Sequence, residues 1–277
     1  MEKNKKLNIL FIGDVFGEPG IKIIRKWIPK LKKEYFIDVV IAQSENVSGR
    51  KGLTENDYKI MKKAGVDLFT LGNHVWAKPE IFKIINNGDL IRPANISESY
   101  PGLGSLIYRV NSNITLRVTS LMGITFNKLS SPWSQEYANN FFDVIDNIIK
   151  YEEKTDFHFI DFHGETTSEK YVMGLYLDGR VDGFCGTHTH VQTNDGHVLP
   201  NGTCYITDVG SCGPYNSAIG ANFEEVYRKM RYGDFSKFQV SGNKPQFNAV
   251  VLKLNSLDKE LNEIITINIV PEVKWKN

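Results

Sequence analysis

"LNILFIGDV", residues 7–15, is an apolar run that stops at Gly-Asp, and its reading sets the fold. A run this short, bounded by turn residues, reads as a buried strand. Pro19 then fits the first turn of a helix over residues 19–34. The unit repeats. "DVVIAQSEN" (38–46) reads as a second strand, and Thr54 caps a helix ending near Gly65. Asp57 takes the third helical position there, a short variant of the capping box. "DLFTLGNHVW" (67–76) is a third strand, followed by a helix over residues 79–87. This β-α-β-α-β-α order implies a largely parallel sheet with helices outside it.

Further along, the pattern changes. "GSLIYRVN" (104–111) and "ITLRVTSLMG" (114–123) flank the turn residues Asn111, Ser112 and Asn113, as an antiparallel pair does. A helix over residues 135–153 precedes the strand "FHFIDFHGE" (157–165) and a further helical stretch. Then come "GFCGTHTH" (183–190), a turn at "NDG" (194–196) and "TCYITDVG" (203–210). "FNAVVLKLN" (247–255) and "EIITINIV" (263–270) form a final hairpin around "SLDKE" (256–260). The chain has no repeat, low-complexity tract or linker. The expectation is one α/β domain over residues 1–277, with two sheets between helical layers.

Composition narrows the function classes. The 277 residues are 41% hydrophobic, enough for a sizeable core. Lys plus Arg number 33 against 32 Asp plus Glu, a net charge of +1. Long nucleic acid is therefore disfavoured as a partner, since its binders carry a basic excess or stripe. The one cationic cluster, Lys3, Lys5 and Lys6, reads as a solvated arm. Cys185, Cys204 and Cys212 are odd in number and lack a CxxC spacing, which points to reduced thiols and a cytoplasmic setting. No segment approaches the ~20 apolar residues of a membrane span. The apolar stretch at residues 7–12 is too short for the core of a signal peptide.

The polar residues of interest fall where strands end. Asp14 closes the first strand, Glu45 and Asn46 the second, and Asn73 and His74 the third. His163 closes the strand of the middle region, and His188 and His190 the later one. Ligands of open α/β sheets gather outside the carboxyl ends of strands, so these scattered positions converge on one edge. In "GTHTHVQT" (186–193) the two histidines are separated by one residue. On a strand, that spacing aims both imidazoles at one point. Gly72 in "GNH" allows a close backbone approach. His158 has the parity of Ile160 and Phe162, opposite to His163, and reads as structural. His197 follows a turn, and Trp133 and Cys204 read as packing.

Two carboxylates, one or two amides and three or four imidazoles exceed one tetrahedral zinc, and the lack of thiolates argues against a structural zinc. They suit two first-row divalent ions in five- or six-coordinate sites, iron or manganese, with zinc a third option. Two such ions about 3.5–4 Å apart clamp the oxygens of an in-line displacement at phosphorus. Glu45 is a natural bridge, one oxygen to each ion.

"GNH", a downstream His and "GTHTH" resemble the signature blocks of the calcineurin-like metallophosphoesterases. "LFIGDVFGEPG", "ENVSGRKGLT", "LGNHVW", "RPAN", "DFHGETTSEK", "GTHTHVQT" and "TDVGSCGPY" resemble more closely its bacterial YmdB-like branch, in matching order as far as Tyr215. The resemblance implies a four-layer α/β/β/α sandwich and hydrolysis of phosphodiesters, with 2′,3′-cyclic nucleotides as substrates. It assigns Asp14, Glu45, Asn46 and His190 to one metal and Glu45, Asn73, His163 and His188 to the other. His74 would face the leaving group, donating a proton or a hydrogen bond to it. Glu165, Thr187, Thr189 and Asp208 are candidates to orient the ligand imidazoles.

The chain departs from the wider superfamily. Its first block has Phe16 where Asp-x-His places a histidine, so Asn46 must fill in or that metal keeps extra water. Glu45 stands where an Asp is usual, and "HGE" where the branch has His-Ala-Glu. Three rival functions remain open: a metal- or nucleotide-sensing regulator with little turnover, a nuclease acting on RNA, and a monoesterase. Self-association is also open.

Overall fold

The computed structural model describes residues 4–272. Four strands and two helices build the first third: β1 (Lys6–Ile12), β2 (Asp14–Val15), α1 (Gly17–Glu34), β3 (Val39–Gln43), α2 (Glu55–Ala64) and β4 (Leu68–Thr70). Next come β5 (Leu90–Ile91), β6 (Ser105–Arg109), β7 (Thr115–Met122), α3 (Phe141–Tyr151), β8 (Phe157–His163), α4 (Thr167–Leu177) and β9 (Gly183–Thr187). The remainder is β10 (His197–Val198), β11 (Cys204–Ile206), β12 (Ser211–Pro214), α5 (Phe223–Tyr232), β13 (Pro245–Asn255) and β14 (Glu263–Ile269).

Two sheets result. The first runs β2-β12-β13-β1-β3-β4-β5, with β14 also paired to β13. In it β1, β3, β4 and β5 are parallel and β13 joins β1 antiparallel. The second runs β10-β11-β9-β8-β7-β6 and is parallel from β11 through β7.

Strand alternation separates the layers. Along β1, Leu7, Ile9 and Phe11 enter a core shared with Leu116, Val118, Phe157 and Phe159 of the second sheet. Leu10 and Ile12 face the other way, onto Ile24 and Ile28 of α1 and Met61 of α2. Along β8, Phe157 and Phe159 point between the sheets, while Ile160 and Phe162 pack on Ile145 of α3 and Met173 of α4. The layers are therefore α/β/β/α. Each fully buried side chain of this kind contributes roughly 1.5–3 kcal/mol, so the three cores hold the strand ends rigidly.

Several expectations shift. Pro79–Lys83 is a short 3-10 helix, not the start of a helix reaching residue 87. Asn86, Asn87 and Gly88 follow too soon for further turns to propagate. Residues 135–140 are not helical. They are tied to a neighbouring loop, with Asn139 N donating to Asn95 O at 2.7 Å and Ser97 N to Gln135 Oε1 at 2.9 Å. Asn140 then caps α3. Of the expected cationic arm, Lys3 lies outside the described residues, Lys5 pairs with Asp156 at 2.5 Å and Lys6 opens β1. Helix α5 has no counterpart among the expected elements. Among the described residues, no helix is long and apolar enough to cross a membrane.

Candidate metal centre

The carboxyl ends of β1, β3 and β4 meet those of β8 and β9 at one edge of the sandwich. Asp14, Glu45, Asn46, His163 and His190 are buried there, and Asn73, His74 and His188 are half-buried. All eight residues expected at the site are thus brought together. The route differs from expectation for the two histidines of "THTH". Strand β9 stops at Thr187, and His188 and His190 sit in the left-handed region, at φ 99° and 65°. A strand would have aimed both rings at one point. The turn sends them to different neighbours.

His188 joins His163. His163 Nε2 lies 3.0 Å from each of Glu45 Oε1, Asn73 Oδ1 and His188 Nδ1. These Glu45, His163 and His188 ligand atoms all lie within 4.8 Å of one another. The protons of both rings are engaged elsewhere. Thr187 Oγ1 gives its hydrogen to Asp161 Oδ1 at 2.7 Å and so accepts from His163 Nδ1 at 3.0 Å. Gln43 Nε2 lies 3.1 Å from the same nitrogen. Glu165 Oε2 takes the Nε2–H of His188 at 2.9 Å. Lone pairs therefore face lone pairs in the centre of the group. Burial pushes His163 and His188 each down to about 4, so at neutral pH no proton fills that centre. Two ligands at right angles and about 2.1 Å from one ion stand about 3.0 Å apart. The oxygen and nitrogen donors fit a first-row divalent cation.

His190 joins Asp14 and Asn46. Asn46 Nδ2 lies 3.3 Å from Asp14 Oδ1, 3.2 Å from His190 Nε2 and 3.4 Å from Glu45 Oε1. His190 Nδ1 donates to Ile219 O at 2.9 Å, which leaves Nε2 as the lone-pair nitrogen. Ile219 holds this carbonyl at φ 45°, strained for a β-branched residue. The amide hydrogen of Asn46 here supplies the positive character that three acceptors require. Turning that amide over would present Oδ1 instead. Phe16, which offers no ligand where the superfamily has a histidine, packs edge-on against His190, with ring centroids 5.5 Å apart. Glu45 lies between the two groups, but through one oxygen. Oε1 reaches both, while Oε2 accepts the His74 N–H at 2.8 Å.

The other candidates divide. Thr187 and Glu165 touch His163 and His188 as described. Thr189 and Asp208 make their hydrogen bonds to each other, at 2.7 Å, and Asp208 also pairs with the buried Lys170 at 2.8 Å. They brace the loop carrying His188 and His190 and bond to no imidazole. Burial pushes His74 down to about 4, with Glu45 opposing and Lys51 adding to the shift, so His74 is neutral at pH 7. His158 points away from the site as its parity requires, bonded to Thr119 Oγ1 at 2.9 Å, and His197 is exposed. The three cysteines are buried and free.

Three contributors carry no sequence signal for this role. Trp133 Nε1 donates to Asn73 O at 2.7 Å, and Gln43 Oε1 accepts the Glu45 N–H at 2.9 Å while its Nε2 lies 3.1 Å from His163 Nδ1. Helix α5 is the third. It walls a cavity of about 780 Å³ whose other lining residues include Glu45, Asn46, His74, His188 and His190.

A family model for YmdB-like proteins matches residues 10–267. The chain is 40% identical over 260 residues to a Bacillus subtilis (strain 168) protein named 2′,3′-cyclic-nucleotide 2′-phosphodiesterase, covering 93% of this chain and 95% of that one. A crystal structure of a novel phosphatase from Mycoplasma pneumoniae superposes with a TM-score of 0.85 at 36% identity, covering 96% of this chain and 95% of that one. A hypothetical protein from Thermus thermophilus superposes with a TM-score of 0.84 at 33% identity, covering 95% of this chain and 100% of that one.

Proposed function

The chain belongs to the YmdB-like family, and from that footing we propose that it is a dinuclear metal-dependent phosphodiesterase that opens 2′,3′-cyclic nucleotides, working as a single cytoplasmic domain. The observation that carries the reading is the meeting of His163 Nε2 with Glu45 Oε1, Asn73 Oδ1 and His188 Nδ1, each at 3.0 Å. A second ion would be held by Asp14, Asn46 and His190, with Glu45 common to both groups. The nitrogen and oxygen set favours iron or manganese, with zinc the third option. Bound there, such ions would supply Lewis acidity at the phosphoryl oxygens and a nucleophilic water near neutral pH.

The chain's own residues do the rest. Thr187 and Glu165 fix the tautomers of His163 and His188, and the Ile219 carbonyl fixes that of His190. His74 is neutral, so its N–H hydrogen-bonds to the departing ribose oxygen and stabilises the charge that develops there. Its backbone N–H meanwhile steadies Glu45. The cavity beside these groups is concave and of the size that holds a nucleotide.

Turnover of 2′,3′-cAMP by protein stripped of metal and then reloaded with manganese or iron tests this reading. Metal-dependent release of 3′-AMP, the product of breaking the 2′ bond, is expected. Tight binding of metal and nucleotide with no release of product would make the protein a sensor instead.

A further inference from the structure

Helix α5 turns its apolar stripe toward the cavity, not toward a core. Phe223, Val226, Tyr227 and Met230 stand at i, i+3, i+4 and i+7, the spacing of one helix face. A surface helix ordinarily buries that face. Here no residue of α5 is buried, and Phe223 and Met230 are 63% and 84% exposed. All four side chains line the cavity that also contains Glu45, Asn46, His188 and His190. The Phe223 and Tyr227 rings stack with centroids 5.5 Å apart and planes 18° apart. Phe238 adds a third ring to the lining, with Arg50 at 5.3 Å from its centroid and Lys229 at 5.1 Å.

Resting on the functional reading above, we propose that this aromatic wall is the nucleobase subsite of the metal centre. The cavity is polar where Glu45, His188 and His190 line it and apolar along α5, and a nucleoside cyclic phosphate is amphipathic in the same sense. Its phosphate is drawn to the metal ligands, and its base then meets Phe223 and Tyr227 within the same cavity. A volume of about 780 Å³ lies inside the range that small-molecule sites occupy. A second copy of the chain would instead need a broad accessible face, whereas these side chains line a concavity. Every base has a π-face, so the wall discriminates a base from its absence more than one base from another.

The test compares wild type with a Phe223→Ala/Tyr227→Ala variant, whose altered positions are unburied and leave the cores intact. Equilibrium binding of 3′-AMP and of inorganic phosphate is measured beside kcat/KM for 2′,3′-cAMP and for glycerol 1,2-cyclic phosphate, which has the same ring and no base. The variant should lose about tenfold or more in its preference for 3′-AMP over phosphate, as removal of base stacking does. Its preference for 2′,3′-cAMP over the base-free diester should fall in parallel, through KM. Equal preferences in wild type and variant would overturn the proposal. So would a changed oligomeric state with unchanged preferences, which would make α5 a self-association face. A preference for 3′-AMP that depends on these residues, in a protein that hydrolyses neither diester, would support the subsite and overturn the catalytic reading alone.

Discussion

Gly72 and His163 occupy adjoining space so closely that a side chain on the first would displace the second: a Cβ at Gly72 would stand 2.2 Å from His163 Cδ2 and 2.5 Å from Nε2. The glycine of "GNH" is thus set by the imidazole beside it. Gly72→Ala should push the ring out of register with Glu45, Asn73 and His188. One metal should bind roughly 10–100-fold more weakly, as when the groups that orient a ligand are lost. Cooperative unfolding should persist, because the cores are untouched. Calorimetric metal titration checks this, and unchanged affinity for both metals would contradict it.

Glu45 reaches both groups of ligands through Oε1. Glu45→Gln keeps the shape and removes the charge, and metal affinity depends on ligand charge. Both sites should weaken together, each by roughly tenfold or more. If only the His163 site weakened, Glu45 would not be shared.

His74 is neutral in the resting protein and contacts Glu45 through its backbone. His74→Ala should therefore retain both metals and lose roughly 10²–10³-fold in rate, as loss of one charge-stabilising donor does. The loss should shrink on bis(p-nitrophenyl) phosphate, whose leaving group needs little stabilisation. Metal content falling in step with activity would make His74 a ligand.

The convergence of these polar side chains was legible from the sequence because it depends on where apolar strands stop, and Asp14, Glu45, Asn73 and His163 lie at or just past those ends. The backbone of "THTH" was not. A non-glycine residue at positive φ is imposed by its surroundings: Asp14 Oδ2 accepts the His188 N–H at 3.1 Å, and Asp208 accepts the Thr189 N–H at 3.1 Å. These are contacts from distant segments that local pattern does not encode. Trp133 was hidden for the same reason, since its bond to Asn73 joins positions 60 apart. Helix α5 carries ordinary signals, Asn222 before it, Glu224 and Glu225 in its first turn and Gly233 after it. Its stripe predicts a partner in the core, whereas the structure gives it a cavity.

His158 governs part of the acid stability. Burial, with Arg117 adjacent, pushes it down to about 3. Between its ordinary value near 6.5 and that figure, the unfolded chain holds a proton that the folded chain does not. Stability therefore falls as pH is lowered through this window, by ~2 kcal/mol between pH 6.5 and 5 from this residue. His158→Gln should flatten the pH dependence of denaturant unfolding by about that amount. An identical slope in wild type and variant would mean that His158 does not set the acid stability.

Two metals sharing Glu45 are proposed to act together on one phosphodiester. Stepwise addition of manganese to metal-free protein, with 2′,3′-cAMP hydrolysis followed at each step, separates a two-metal from a one-metal site. Activity should remain low through the first equivalent per chain and rise to its plateau with the second. A plateau reached at one equivalent would mean that one metal suffices, and hydrolysis undiminished in the fully stripped protein would mean that none is needed.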